Sequence, residues 1–320
     1  FHGIYGSVFR LRAAIKAGGK RAGSFCKQNL GACLLPEIGR KRFRELTLSS
    51  QCLQLLLTGI TVGSIYAMVA IGFNIIYNAT DALNFAQGEF VMLGGMSMIM
   101  FHGILGINMA VSFFLAMGLV TAVGMLFERL TIHPLKKPSL VTVILITIAV
   151  SILFKGLAML VWGKDSYPLE PFSRTKPIIL WGAVINAQIL WVLGITLAVV
   201  LLLTYFFKFT LVGKALRACA MNRDAAACMG INVKWMVTLS FGMSAAIGAV
   251  AGMIITPMTL MEYDRGAVLG IKGFSAAVVG GVGNSLGAMV AGLIIGIVES
   301  FAAGFVSSGY KDAFGFLIML

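Results

Sequence analysis

Long apolar runs separated by short polar breaks make up most of the chain from residue 52 onward. The runs are rich in Leu, Ile, Ala, Met and Gly, and apolar and polar residues do not alternate within them. A helix needs about 20 apolar residues to cross a bilayer, whereas membrane β-strands alternate at every second position. The pattern therefore predicts transmembrane helices. The runs lie near residues 52–77, 88–103, 107–127, 139–162, 187–207, 235–259, 270–282, 285–304 and 313–320.

Two of these runs, 88–103 and 270–282, are short for a full crossing, and the second ends in a glycine-rich stretch, 280–284. Irregular backbone at membrane depth is tolerated where protein or a cavity surrounds it. We predict an all-α fold: a polytopic transmembrane helical bundle of about eight spans, with a short broken or re-entrant helix near 270–283. Four GxxxG steps predict close helix packing. They are Gly59/Gly63, Gly248/Gly252, Gly283/Gly287 and Gly292/Gly296.

Composition agrees with a membrane protein. Only 12% of the 320 residues are charged and the mean hydropathy is +0.94, whereas soluble domains carry about 25% charged residues. Residues 1–50 hold ten Lys/Arg against Glu37 and Glu45. We expect 1–50 to be a basic N-terminal extension, non-native or disordered, and 51–320 to be a C-terminally truncated transmembrane domain. The five cysteines (26, 33, 52, 219 and 228) show no metal or disulfide spacing.

The distribution of Lys and Arg predicts the orientation of the loops. The breaks at 128–138 and 208–234 are basic and should both be cytoplasmic, with one helical hairpin between them. The 163–186 loop should then lie outside, and its stretch 178–185 suggests a small extended or hairpin element. Three crossings within 52–127 would put the basic N-terminus outside, so its orientation stays open.

Catalytic motifs are absent from the sequence. The three histidines (2, 102 and 133) form no HExxH motif, and there is no GxSxG motif. Gly213-Lys214 lacks the upstream glycine of a nucleotide-binding loop. We predict a protein that is not an enzyme, with no metal and no cofactor, so that any ATP is used by another chain.

Polar residues inside apolar runs are the candidate solute-pathway residues, because a charge in hydrocarbon is costly and usually functional. Each has a plainer interpretation. Glu89 at a helix start could be a cap, Lys155 could extend to the interface, and Asn74 could form an interhelical hydrogen bond. The pathway candidates are Asn84, Gln87, Glu89, Lys155 and Glu299.

The cytoplasmic stretch 213–232 is rich in alanine, with basic residues in its first part and a glycine near its end. It is typical of an amphipathic loop helix, or of a helix that docks on a soluble partner. Within it, Asp224-Ala225-Ala226-x-x-x-Gly230 resembles the EAA…G coupling motif of ABC-importer permeases, with Asp in place of Glu.

More widely, the chain resembles the branched-chain amino-acid ABC permease family (LivH-like, with urea and short-amide permease relatives). The resemblance covers about 52–320. One departure is Gln87. Family members often carry His at this position, so Gln would remove a titratable group. The matching stretches are 59–67, 84–90, 213–231, 271–274, 276–283 and 287–299.

The resemblance implies a permease subunit of an ATP-driven importer in the bacterial inner membrane. Implied partners are a second homologous permease, two cytoplasmic ATPases and a periplasmic solute-binding protein, within the lipid bilayer and without nucleic acid. The implied coupling residues are Gly213, Lys214, Arg217, Asp224, Ala225, Ala226 and Gly230.

The solute stays open between branched-chain amino acids, other small amino acids, urea and short amides. A secondary transporter would predict paired intramembrane acids and inverted repeats, and no clear repeat is visible in the sequence. A membrane enzyme would need a reactive cluster that the sequence lacks.

Overall fold

The computed structural model describes residues 37–135, 139–173, 178–180, 183–305, 315 and 317, with the backbone alone for 37–49, 178–180 and 183–185. The chain divides into two units, 1–51 and 52–320. Most of the predicted basic extension and nearly all of the last apolar run, 313–320, lie outside the described residues. The account below concerns the second unit.

Ten α-helices and two short strands form the described part. Two of the helices pass into π-helical turns, Ile99–Ile104 and Glu128–Ile132. The elements are α1 (Glu37–Thr80), α2 (Gln87–Met98), α3 (Met109–Phe127), α4 (Leu140–Trp162), β1 (Ile178–Leu180), β2 (Ala183–Ile185), α5 (Ala187–Phe209), α6 (Leu211–Met221), α7 (Arg223–Cys228), α8 (Val233–Ile255), α9 (Arg265–Val279) and α10 (Ser285–Phe305).

The all-α transmembrane bundle is confirmed, whereas the expected count of about eight spans is not. Among the described residues, six helices are long and apolar enough to cross a membrane: α1, α3, α4, α5, α8 and α10. In an 18-residue apolar stretch of each helix, only 22% of the residues of α4 or of α5 are buried, against 83% of those of α8. The outer helices therefore present large apolar side chains such as Leu160 and Leu202 outward, as expected where lipid is the solvent.

The two short runs form the short helices α2, of 12 residues, and α9, of 15 residues. Each follows a long buried helix through a non-helical stretch, 81–86 before α2 and 256–264 before α9. Gly88, Gly266 and Gly270 lie where α2 and α9 cross. A Cβ on Gly88 would overlap the Gly266 carbonyl oxygen and lie 2.8 Å from the Gly270 Cα. The backbones therefore touch directly at this crossing.

The helices pack in an inverted arrangement that was not visible in the sequence. α8 packs on α2 and α3, and α1 packs correspondingly on α9 and α10, through Val69 against Gly273 and Gly63 against Gly292. α1 ends at the same end of the bundle at which α8 begins, since Asp81 and Arg223 are in contact there. The triplets α1–α2–α3 and α8–α9–α10 therefore run in opposite directions.

The glycine steps behave as predicted, with one exception. Gly59 and Gly63 pack on the backbone of α10 beside Gly296 and Gly292. Gly248 and Gly252 pack on Phe90 and Val91 of α2. The step at 283/287 does not lie on one helix face, because Gly283 has φ +92° and belongs to the turn before α10.

The predicted parity of the loops agrees with the contacts. The buried Glu128, the first residue of the π-helical turn after α3, accepts a 2.6 Å hydrogen bond from Thr238 near the start of α8. The basic breaks at 128–138 and 208–234 therefore lie at one end of the bundle, which we call the basic end. The expected hairpin within 163–186 is present, since β1 pairs antiparallel with β2.

Candidate functional site

The predicted coupling region folds as two short helices, α6 and α7, which we call the elbow. Thr210 begins α6, because its hydroxyl accepts a 3.0 Å hydrogen bond from the Gly213 N–H. Asn222 separates the helices with extended backbone and then caps α7, accepting a 3.0 Å bond from the Ala225 N–H. Thr and Asn are preferred N-cap residues, so the sequence itself fixes both helix starts.

One face of the elbow holds it against the bundle. Leu216 and Cys219 of α6 form a small buried cluster with Ala226 of α7 and Met236 of α8. Gly213 is buried against the end of α5, where a Cβ would overlap the Phe206 carbonyl. Burial raises the pKa of the Cys219 thiol. The spacing 213, 216, 219 is the i, i+3 pattern of a helix with one packed face.

Gly230 ends α7 by a Schellman motif. Its φ is +85°, its N–H donates to the Ala227 carbonyl at 3.0 Å, and the Ile231 N–H donates to the Ala226 carbonyl at 3.1 Å. Ile231 then packs beside Ala226. This is the bond pattern and apolar contact of that motif, in which glycine takes the left-handed position without strain. A Cβ at Gly230 would meet no atom within 4 Å, so the requirement is conformational and not steric.

The opposite face of the elbow is exposed. It carries the predicted residues Lys214, Arg217, Asp224 and Ala225. At the end of α6 and just after α7 it also carries Met221 and Met229, which are 89% and 70% exposed and were not among the predicted residues. Exposed methionines are frequent on surfaces that bind other proteins. The predicted coupling residues thus divide into packed positions (213 and 226), exposed positions (214, 217, 224 and 225), and Gly230, which is exposed and has a conformational role.

Arg223, the first residue of α7, forms a 2.9 Å ion pair with Asp81. Asp81 lies just after α1 in a left-handed conformation, φ 51°, and begins the stretch that leads to α2. The elbow is therefore in contact with the segment that carries Asn84 and Gln87. Neither charge stood out in the sequence, because each lies in a polar break and the two are 142 positions apart.

Asn84 and Gln87 are buried at the start of α2. The Asn84 Oδ1 accepts a 3.0 Å bond from the Ala86 N–H, while its Nδ2 has no hydrogen-bond partner among the described residues. The Gln87 side chain accepts from the Ser244 hydroxyl at 2.6 Å and donates to the Ser244 carbonyl at 3.2 Å. The same hydroxyl donates to the Gly72 carbonyl at 2.8 Å. Gln87 thus joins α2 to α8 and, through Ser244, to α1.

Glu89 belongs to a first buried ionic cluster. Its Oε1 accepts a 2.9 Å bond from the Ser151 hydroxyl and lies 3.7 Å from Lys155 Nζ, both on α4. Its Oε2 has no hydrogen-bond partner in the described part and faces Gly266 in the first turn of α9. The positive end of the α9 dipole favours a carboxylate there. The Lys155 side chain is 30% exposed, against 1% for Glu89.

Glu299 belongs to a second cluster, in which Lys272 was missed as a candidate. The Glu299 carboxylate accepts hydrogen bonds from Lys272 Nζ and, at 2.8 Å, from the Tyr66 hydroxyl. Lys272 Nζ also lies 5.5 Å from the Tyr66 ring centroid, within cation–π distance. The cluster joins α1, α9 and α10. Lys272 lies in an apolar run, so the reasoning applied to Lys155 would have identified it.

The five pathway candidates therefore do not converge on one site. Glu89 and Lys155 pair beside Gly266, whereas Glu299 pairs with Lys272, six residues along α9 and so about 9 Å further. Asn84 and Gln87 lie beside the first cluster on the same helix start. Through these contacts the Glu89 cluster joins α2 to α4, and the Glu299 cluster joins α1, α9 and α10.

The comparisons with known proteins agree with this architecture. A family model described as branched-chain amino acid transport system / permease component matches residues 55–320. The chain is 31% identical to the high-affinity branched-chain amino acid transport system permease protein LivH of Escherichia coli, over 84% of this chain and 91% of that protein. It is 33% identical to the corresponding protein BraD of Pseudomonas aeruginosa, over 84% and 92%.

Among solved structures, the chain is similar to PsaBC from Streptococcus pneumoniae in complex with Fab. The identity is 17%, over 84% of this chain and 90% of that chain, and the TM-score is 0.46. The family assignment depends on the sequence matches instead, which cover nearly all of the second unit. The chain belongs to the permease component family of branched-chain amino acid transport systems.

Proposed function

We propose that the chain is the membrane-spanning permease subunit of an ATP-driven importer for branched-chain amino acids in a bacterial inner membrane. It would work with a second homologous permease, two cytoplasmic ATPases and a periplasmic solute-binding protein. The ATPases would use the ATP, and this chain would have neither a cofactor nor an ATPase site of its own. The substrate is taken from the printed names of the relatives.

The elbow is the observation that carries the coupling proposal. It lies at the basic end of the bundle, which the positive-inside rule assigns to the cytoplasm. Its exposed face combines Asp224 and Ala225 with Met221 and Met229. An ATPase groove that receives this face would gain apolar burial from the methionines and close backbone approach from the alanine. Closure of the ATPases would then displace the elbow relative to α5 and α8, and so change access to the bundle.

The experiment exploits the left-handed backbone at Gly230. Gly230→Val places a β-branched residue at φ +85°, which costs about 1–2 kcal/mol and disrupts the end of α7. Gly230→Asn is the matched control, because Asn tolerates this conformation. We expect Gly230→Val to lose co-purification of the ATPases while still inserting in the membrane, and Gly230→Asn to retain it. Equal co-purification of both variants would refute docking through the elbow.

The substrate is tested separately, with the complete importer in proteoliposomes that contain ATP. We expect uptake of radiolabelled leucine when the solute-binding protein is present. Urea or a short amide is the alternative cargo, and uptake of labelled urea without leucine would overturn the amino-acid proposal while leaving the coupling proposal intact.

An ion-gradient transporter is the second candidate, favoured by the inverted helix arrangement and by the buried carboxylates Glu89 and Glu299. The two candidates differ in their energy source. Transport that continues after collapse of the proton and sodium gradients, while ATP remains, supports the importer. Transport that stops under those conditions supports the gradient-driven candidate.

A further inference from the structure

A groove of about 420 Å³ opens near the basic end of the bundle, between α5 and α10 and above α1. This volume falls in the range of roughly 300–1,000 Å³ in which proteins hold small molecules. Its inner wall is apolar and includes Ile71 and Ile75 of α1, Val200 and Leu203 of α5, and Met289 of α10. The groove lies on the same side of α5 as its buried residue Leu203.

The mouth of the groove is cationic. Lys208 stands in the last turn of α5, and Arg217 projects from α6, so the two helices that meet at Thr210 each contribute one positive charge. No Asp or Glu occurs among the described lining residues. Neither cation forms an ion pair within the described part of the chain. Asn78 and Ser285 add polar groups at the same mouth.

We infer that this groove binds one acidic phospholipid, with the phosphate between Lys208 and Arg217 and an acyl chain along α5 toward Val200. Negatively charged lipids concentrate at the cytoplasmic surface, and basic pockets between transmembrane helices on that side bind their headgroups. From Lys208 to Val200 the helix rises about 12 Å, so one molecule can contact both the charged mouth and the apolar wall.

The geometry favours a lipid over a cytoplasmic protein as the occupant. The inner wall is formed by α1, α5 and α10, which are three of the six helices long and apolar enough to span the membrane, so its apolar part lies at membrane depth. A helix of a cytoplasmic ATPase would have to leave water to reach Val200. Lys214, by contrast, is exposed on α6 and is not among the residues that line the groove. Of the two cations on the exposed face of α6, only Arg217 lines the groove.

The inference assigns Arg217 to the lipid, where the resemblance had implied ATPase coupling. A bound headgroup would join α6 to the end of α5 through a non-covalent bridge at Lys208. The position of the elbow would then depend on the acidic lipid content of the membrane. The inference is independent of the cargo and of the ATPases, so it is tested on the purified chain.

The test is native mass spectrometry of the detergent-purified full chain after titration with phosphatidylglycerol or phosphatidylcholine. We expect selective retention of phosphatidylglycerol. The double variant Lys208→Gln/Arg217→Gln loses two cations, each of which contributes about 1 kcal/mol near a membrane surface. Its retention of phosphatidylglycerol should therefore be about 30-fold weaker. Thr204→Trp, at an exposed lining position, should also weaken retention by filling the groove without changing charge.

Lys214→Gln is the matched control, and it should retain phosphatidylglycerol as the unmodified chain does. Equal retention of both lipids, or the same loss in Lys214→Gln as in the double variant, would overturn the inference. Unchanged lipid retention in the double variant, together with loss of ATPase co-purification, would assign the two cations to a protein partner instead.

Discussion

The buried ion pair between Lys272 and Glu299 allows a quantitative prediction. Their side chains are 9% and 1% exposed, and Tyr66 donates a further hydrogen bond to the carboxylate. Removal of one partner of a buried pair leaves an uncompensated charge and costs about 3–5 kcal/mol, whereas replacement of both is often nearly neutral. Glu299→Gln leaves Lys272 buried and charged. Lys272→Met leaves Glu299 in the same condition.

We therefore expect each single variant to lose about 3–5 kcal/mol and Lys272→Met/Glu299→Gln to recover most of that loss. At roughly 2–4 °C per kcal/mol, each single change should lower the denaturation midpoint by roughly 6–20 °C. Tryptophan fluorescence during heating of the detergent-purified chain measures the midpoint. Tyr66→Phe removes one hydrogen bond to a charged group and should cost about 1.5–3 kcal/mol.

A double-mutant cycle distinguishes this reasoning from a solute-pathway role for Glu299. If the losses of the two single variants simply add in the double variant, the pair does not act as a unit and the argument fails. If Glu299→Gln keeps the normal midpoint but changes uptake kinetics, Glu299 contacts solute and its burial with Lys272 is incidental. The sequence alone favours a solute-pathway role for Glu299, whereas the structure favours a buried ion pair whose double variant recovers most of the loss.

Three further predictions follow from other contacts. Glu89→Gln should lower the denaturation midpoint less than Glu299→Gln, because Lys155 is 30% exposed and can extend to the interface once unpaired; an equal or larger loss would contradict this. Gly88→Val should abolish a monodisperse peak in size-exclusion chromatography, because the valine side chain would overlap α9. The control is Gly118→Val on α3, which should elute normally because a Cβ at Gly118 would meet no atom within 4 Å. In a chain with Cys26, Cys33 and Cys52 changed to Ser, a membrane-impermeant maleimide at pH 7 should label the exposed Cys228 in inside-out vesicles only. The buried Cys219 should stay unlabelled, because its raised pKa also lowers its thiolate fraction. Labelling of Cys228 in intact cells would instead place the elbow on the outer side of the membrane.

The sequence predicted the helices well, because each signal was local. Continuous apolar runs marked α3, α4, α5, α8 and α10 to within a few residues. Asn222 caps the start of α7 and Gly230 ends it, and both act through local backbone geometry. The end of this helix at a glycine could therefore be predicted without knowledge of the fold. The short runs near 88–103 and 270–282 were correctly interpreted as unusual.

The pairing of these elements could not be predicted, since it depends on distant residues. Tyr66 and Glu299 are 233 positions apart, and no local pattern indicates that α9 brings Lys272 between their helices. The inverted arrangement was missed for a similar reason. It depends on which helices pack together, and α1 and α8 share no obvious motif. Likewise, Ala226 is buried and Ala225 is exposed, although both belong to the same sequence motif.

In the proposed transport cycle, displacement of the elbow would act on the contact between Arg223 and Asp81. Both side chains are substantially exposed, so the pair contributes at most about 1 kcal/mol. Only five residues separate Asp81 from Gln87, whose amide is held in the bundle by Ser244. Displacement of the elbow can therefore separate this contact at little cost and leave the buried start of α2 in place. The ion pair between the loop after α1 and the elbow could then break and re-form without unfolding either helix.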